Sequence, residues 1–280
     1  MSKWQVRWSP TLGELEDTAE NVWGTLPYSW DTEPTCFFGV YGLPDFYAVW
    51  RHKGRRHILW AGTDILHLRD NYWLEDGGKI RIDNKGICEW LNRHCVNWCE
   101  NVAEYEMLKS LGIKSQICPS FLGDVSKFKV SFKPGNKVYA SVSGDNFEQY
   151  KWDLIEKVAA SVPEVDFYLY GSDKWKTKNK NVIIKGRVDK EVMNAEVRQM
   201  QAGLRLLDMD GASEIVVKSA LFAHHTITKI RYPFIDSYET EEELVALLKE
   251  IPNKKEPNLR ARDWFLENLN NYPWNAKRLP

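Results

Sequence analysis

"NVIIKGRVDKEVMNAEVRQMQAGLRLLDMDGASEIVVKSALFAHHTIT", residues 181–228, is the stretch whose reading decides the fold. Apolar runs at Val182–Ile184, Gly203–Leu207 and Thr226–Ile230 read as strands, and Lys190–Met200 and Ala212–Ala223 between them carry helical periodicity. Strand, helix, strand, helix, strand is the signature of βαβ units and a largely parallel sheet. The same alternation extends upstream, with strands expected at Val138–Val142 and Asp166–Tyr170 and a helix at Tyr150–Ala160. Downstream, a helix is expected over Glu241–Lys249, where Thr240 and Glu243 have the spacing of a capping box.

The first half repeats the plan. Strands are expected at Trp4–Arg7, Thr35–Val40, His57–Ala61, Val96–Cys99 and Ser115–Cys118, and helices at Pro44–His52, Asn84–Arg93 and Glu100–Leu111. "SKFKVSFKPGNK", Ser126–Lys137, combines lysines with a Pro-Gly turn and reads as an inter-domain connection. The expected organisation is a domain over 1–130, a second over 137–252 and a helical tail over 253–280. The expected fold class is α/β, two Rossmann-like domains facing across a cleft. In open α/β sheets ligands lie outside the carboxyl ends of the strands, so the strand-end loops are the places to search.

Composition limits the function classes. The 280 residues are 43% apolar and 28% charged with net charge −1, the balance of an ordinary globular chain. Residues 1–133 carry 16 Lys+Arg against 17 Asp+Glu, and the remainder carries 22 against 22. Neither half has the basic excess that phosphate neutralisation on nucleic acid requires, so no nucleic-acid partner is expected. No apolar run reaches the ~18–20 residues of a membrane span, and the N-terminus has no leader pattern. Five cysteines without a CxxC pair suit a reduced, cytoplasmic chain. "HCVNWC", with His94, Cys95 and Cys99, has no second pair to complete a zinc site, so no metal is expected. Of the 13 Trp, 12 Tyr and 11 Phe, eleven fall in the first 50 residues; core packing is the expected role for most, although rings also make platforms for sugars.

Three loops of the second half stand at strand ends: Ser143-Gly144-Asp145, Gly171-Ser172-Asp173, and Asp210-Gly211 with Ser213. Each taken alone reads as a turn with an N-cap, because Gly, Ser and Asp favour both. Three on one domain point to a shared, phosphate-bearing ligand cradled by backbone N–H groups. In the first half, Trp60-Ala61-Gly62-Thr63-Asp64 follows a strand. Asp64 is a candidate base or hydroxyl contact, or else a helix cap.

Together these residues resemble the retaining glycosyltransferases of the GT-B fold, family 4-like. "KVYASVSGDN", "KWDLIEKVAASVPEVDFYLYGS" and the 181–228 stretch carry the likeness, and "WAGTD" is similar to a first-domain loop of some members. The resemblance covers about residues 35–250. It implies a nucleotide-sugar donor on the C-terminal domain and an acceptor on the N-terminal one, with no cofactor and no metal. Asp210, Gly211 and Ser213 match the start of the family's acidic motif, implying contacts to the donor sugar or its phosphates. Ser143, Gly144, Gly171 and Ser172 match its phosphate loops, Lys185, Gly186 and Arg187 its base-binding stretch, and Lys151 a phosphate-binding lysine.

One position departs. The motif's second carboxylate, which accepts from the ribose hydroxyls, is here Lys218, a donor only. Losing charge-assisted acceptors of ~1.5–3 kcal/mol would weaken a ribose contact roughly tenfold to a hundredfold. Three readings are open: Lys218 turns to a donor phosphate, it pairs with Glu214 one turn earlier, or the donor site has decayed. The resemblance implies hexosyl transfer from a nucleoside-diphosphate sugar to a glycan or lipid-linked acceptor, as in polysaccharide biosynthesis. Asp64 and Asp210 are the candidate catalytic residues. The alternative is a non-catalytic GT-B-like subunit beside a partner transferase, and association with a membrane surface is open as well.

Overall fold

The computed structural model describes residues 4–12 and 21–276. The chain divides into two compact units. The first comprises the described residues of Met1–Asp124, Met209–Ala212 and Asn268–Pro280, and the second comprises Val125–Asp208 and Ser213–Glu267. The Asp210 loop, expected with the second domain, is thus grouped with the first unit up to Ala212.

In the first unit six strands form one parallel sheet: β1 (Gln5–Trp8), β2 (Leu26–Pro27), β3 (Thr35–Phe38), β4 (Arg56–Leu59), β7 (Val96–Cys99) and β8 (Ser115–Ile117). Their order is β2-β1-β3-β4-β7-β8, a doubly wound arrangement. An antiparallel hairpin, β5 (Tyr72–Glu75) and β6 (Gly78–Arg81), lies outside that sheet. Helices Leu43–Arg51, Thr63–Arg69, Asn84–His94 and Val102–Ser110 alternate with the strands. Gly112, at φ +77°, follows the end of the last of these in the left-handed region that a side chain would resist.

The aromatic surplus of the N-terminal stretch is largely core. Trp8, Trp23, Phe38 and Trp98 cluster with Tyr272 and Trp274 of the tail, and the last two rings stack at 4.4 Å. Rings of this size each bury roughly 150–250 Å², so the tail residues complete this unit's core.

The second unit has a parallel sheet of β9 (Lys137–Ser141), β10 (Asp166–Tyr170), β11 (Val182–Gly186), β12 (Ala202–Arg205), β13 (Ile227–Thr228) and β14 (Asp236–Ser237). The order is β11-β10-β9-β12-β13-β14. Counted within the unit this is 3-2-1-4-5-6, the dinucleotide-fold order, whose direction reverses between β9 and β12. Helices Trp152–Ser161, Lys190–Val197, Glu214–Leu221 and Glu241–Glu250 connect the strands. Thr240 accepts from the Glu243 amide and Glu243 from the Thr240 amide, so the expected capping box is formed.

Helix Glu214–Leu221 is nearly all interior: every residue from Ile215 to Leu221 is buried. Gly203 in β12 permits this approach. Its amide donates to Ser219 Oγ at 3.1 Å, and a Cβ there would lie 2.9 Å from Ser219 Cβ. Among the described residues no helix is long and apolar enough to cross a membrane.

Candidate functional site

In the second unit the carboxyl ends of β9, β10 and β11 surround a cavity of about 380 Å³. Ser143, Gly144, Gly171 and Arg187, all from the expected donor set, line it, together with Val188 and Met193. That volume lies in the range of small-ligand sites. Three local devices shape it. Gly144 and Gly171 adopt φ of +62° and +102°, Gly171 donates its amide to Gly186 O at 2.8 Å, and Arg187 Nε donates to Gly171 O at 3.1 Å. Lys174 pairs with Asp145 at 2.6 Å and ties the first two loops together. Ser172 is buried just beneath, its hydroxyl accepting from the Lys174 amide.

Other expected donor residues stand elsewhere. Lys185 meets Glu196 at 2.9 Å, and Glu196 also accepts from the Tyr170 hydroxyl at 2.6 Å. Gly186 is buried at the end of β11 with φ +70°. Lys151, in the left-handed region at φ +58°, stands at the N-cap position of helix Trp152–Ser161 and pairs with Asp208 at 3.2 Å. Ser213 is the N-cap of helix Glu214–Leu221.

The Lys218 ammonium meets Glu214 at 2.9 Å, with the side chain 5% exposed. Glu214, 53% exposed, also pairs with Lys190 at 3.1 Å. Burial opposes ionisation of Glu214, yet the two ammonium groups outweigh it and hold its carboxyl below the usual value. Burial likewise pulls Lys218 down, with Glu214 opposing.

The first unit gathers carboxylates at its own strand ends. Asp64 is wholly buried after β4, and its oxygens accept from the Val40, Ala61 and Ile65 amides at 3.0, 3.0 and 2.9 Å. It clamps two strand-end loops. Both oxygens are engaged by backbone amides, one of them the Ile65 amide at the start of helix Thr63–Arg69, and none of its surface meets solvent.

Glu100, directly after β7, is 4% exposed. One oxygen accepts from the Ser120 amide at 3.1 Å and from the Ser120 hydroxyl, and the other from the Ala212 amide at 2.7 Å. Asn101 caps helix Val102–Ser110 through the Glu104 amide, and its Nδ2 donates to Asp210 O at 2.7 Å. Glu104 Oε2 accepts from the Glu100 amide at 2.6 Å, while its buried Oε1 has no hydrogen-bond partner. Asp210 accepts from the Gly211 amide at 3.1 Å. Sequence reasoning missed Glu100, Asn101 and Glu104. The available signal was a Glu-Asn-x-x-Glu run straight after an apolar strand.

Burial pushes these carboxyls up: Asp64 to about 6 and Glu100 to about 7. Glu104 lies well above the ordinary value through burial and then through its neighbour Glu100. The folded protein therefore holds protons that the unfolded chain releases near pH 4. Stability from this source is full below about pH 4 and falls as pH rises to about 7. Glu104→Gln, neutral at every pH, is expected to raise the unfolding temperature at pH 8 by a few degrees and to flatten the decline between pH 5 and 8. Thermal scans across that range check it, and an unchanged profile contradicts it. Among the described residues no group of three or more His, Cys, Asp or Glu is placed to hold a metal ion.

The two parallel doubly wound units define the architecture. The chain has a GT-B-type α/β fold, as solved GT-B structures of similar build bear out. A lipopolysaccharide outer core galactosyltransferase, WaaB in its apo form, matches with TM-score 0.62 at 11% identity, over 96% of this chain and 95% of that one. Sucrose-phosphate synthase from Thermosynechococcus elongatus matches with TM-score 0.59 at 10% identity, over 84% and 69%. A TarM variant from S. aureus, solved with UDP, fondaparinux and alpha-GlcNAc-glycerol, matches with TM-score 0.57 at 12% identity, over 85% and 53%. The chain thus spans about half the length of TarM. At such identities the likeness is one of fold. No family model and no curated protein sequence matches the chain.

Proposed function

We propose that the chain is a glycosyltransferase that moves a sugar, with retention, from a nucleoside-diphosphate donor to a glycan or lipid-linked acceptor. One observation carries the reading. Ser143, Gly144, Gly171 and Arg187 come from three separate loops and converge on one cavity at the carboxyl ends of β9, β10 and β11. The backbone N–H of the left-handed Gly144 is suited to a phosphate oxygen, while the Gly171 amide holds Gly186 O and so fixes the neighbouring loop. Arg187 spends Nε on Gly171, and a guanidinium has further N–H donors in a fork that fits phosphate. Charge developing on the leaving diphosphate would be met there by oriented donors.

The neighbours support the donor class. TarM was solved with UDP, GtfA with UDP and GlcNAc, and HepE with UDP and glucose. GtfA was also solved as a GtfA/B complex, and a partner transferase is a fitting associate here too. Lys218, held by Glu214, does not supply a ribose acceptor. Donor affinity on this reading therefore rests more on phosphate contacts than on the sugar of the nucleotide. The test is release of free nucleoside diphosphate from UDP-, GDP-, ADP- and dTDP-sugars, with and without a glycan acceptor and with and without EDTA. Release from one donor class, insensitive to EDTA and lost in Arg187→Ala, is expected. No release from any donor, with or without acceptor, contradicts the enzyme reading and favours a binding subunit.

A further inference from the structure

Residues 173–181, Asp-Lys-Trp-Lys-Thr-Lys-Asn-Lys-Asn, join β10 to the parallel strand β11 without the helix that usually makes such a crossover. The segment runs along helix Trp152–Ser161 instead, and its exposure alternates. Lys174, Lys176, Lys178 and Lys180 are exposed, while Trp175, Thr177, Asn179 and Asn181 are half-buried. The half-buried residues are anchors. Trp175 packs on Phe147 and Trp152 with ring centroids at 5.1 and 5.9 Å. Thr177 Oγ1 donates to Glu156 at 2.8 Å, and Asn179 Nδ2 to Glu156 O at 2.7 Å. Asn181 Nδ2 meets the carbonyls of Ala159, Val162 and Val165 at 3.0, 3.1 and 2.9 Å.

A backbone anchored at every second residue holds the four lysines in a row. Taking ~3.3 Å per extended residue and the ~1.5 Å rise of the helix it follows as bounds, neighbouring lysines stand about 5–7 Å apart. Like charges so spaced lie within the ~8–10 Å screening length and repel. Lys174 is relieved by Asp145 at 2.6 Å. Glu156, however, is taken up by Thr177 and the Lys178 amide. Lys176, Lys178 and Lys180 have no ion-pair partner among the described residues, and Asp173 is the only acid in the segment.

A chain whose own anions repeat at a similar interval complements such a row. The ring of Trp175 faces the core, so no base can stack on it. No exposed apolar side chain in 173–181 is available to enter a bilayer. We propose that Lys174, Lys176, Lys178 and Lys180 form a binding track for a linear anionic glycan, one carrying sulfate, carboxylate or phosphodiester groups along its length. The segment follows Gly171, which lines the cavity, and Lys174 holds Asp145 beside Gly144, so the track leads off from the cavity rim. As a binding site it stands by itself; as the path of an acceptor it rests on the donor reading above.

Binding of a heparin-type sulfated oligosaccharide, measured across a salt series without nucleotide, tests the track. With Lys176→Gln, Lys178→Gln and Lys180→Gln combined, affinity at low salt is expected to fall about tenfold or more. The slope of log affinity against log salt is expected to drop by about 2, taking ~0.7 per neutralised charge as on a single strand. Lys85→Gln, Lys114→Gln and Lys249→Gln combined remove the same charge from scattered exposed positions, and little change is expected. Equal losses in the two triple variants overturn the proposal, as does a wild-type protein that fails to bind the oligosaccharide or gives it up to inorganic sulfate at equal anion concentration. Tighter binding of a single-stranded oligonucleotide or of anionic phospholipid vesicles, lost in the first triple variant, would assign the row to another partner and overturn it too. Oligosaccharide binding needs no nucleotide, so a protein that turns over no donor sinks the donor reading separately.

Discussion

Gly171→Ala is expected to lose donor binding and to lower the unfolding temperature by about 6–12 °C, an expected cost of about 3 kcal/mol or more. Two effects combine. The residue stands at φ +102°, where a side chain is strained, and a Cβ would overlap Val142 O and lie 3.1 Å from Val142 C. The obstructing atoms are backbone of the strand-end loop after β9, so neither can swing aside without breaking the Val142 amide's bond to Tyr170 O. The Gly171 amide and carbonyl meanwhile hold Gly186 and Arg187. One methyl group therefore disturbs all three loops around the cavity. Thermal unfolding with and without nucleotide measures both effects, and a shift under 2 °C with binding intact would contradict the account of the cavity.

Lys218→Glu is expected to destabilise by about 3 kcal/mol or more and to give no gain in nucleotide affinity. The substitution restores the resembled family's carboxylate at that position. Yet position 218 is buried and its only ion-pair partner among the described residues is Glu214. The substitution sets two carboxylates one turn apart, with Lys190 alone to counter them, in a site that already opposes charge. Lys218→Met keeps the apolar stem and leaves Glu214 to Lys190 and solvent, so its stability is expected within about 1 kcal/mol of wild type. Chemical denaturation of the two variants separates these outcomes. A stable Lys218→Glu protein that binds nucleotide more tightly would show instead that the position faces the ribose.

Much of the fold was legible in the sequence because parallel strands in wound sheets are short, apolar and separated by helices. Val96–Cys99 and Asp166–Tyr170 fall where expected to the residue, and the Thr240–Glu243 box marks its helix start. The hairpin Tyr72–Arg81 was overlooked although Asp76-Gly77 is a turn signal between alternating residues. Helix Glu214–Leu221 starts two residues later than its pattern suggests because the Ala212 amide is bound by Glu100 and Ser213, at ψ 130°, is not yet helical.

The cavity loops were readable one at a time, since left-handed turns at strand ends call for glycine. The carboxylate cluster was not. Glu100 and Ala212 are 112 positions apart, and no local periodicity reports that an acid will be buried among backbone donors. Asp64 shows the same limit: its sequence context suits a site residue as well as a helix cap, and no local pattern reports its partner Val40, 24 positions away. Lys218 left three readings open, and the structure adds a 2.9 Å contact to Glu214 that no pattern around position 218 alone specifies.

The measurement that bears most directly on the central claim is thermal unfolding of the whole protein against UDP, GDP, ADP, dTDP and CMP, each at millimolar concentration, beside Arg187→Ala. A ligand at ~100 times its dissociation constant adds about 2.7 kcal/mol, which moves the midpoint by several degrees in a chain of this size. The expected result is a clear rise with one nucleoside diphosphate that is lost in Arg187→Ala. No rise with any nucleotide, or a rise indifferent to Arg187, would contradict a donor site at the carboxyl ends of β9, β10 and β11.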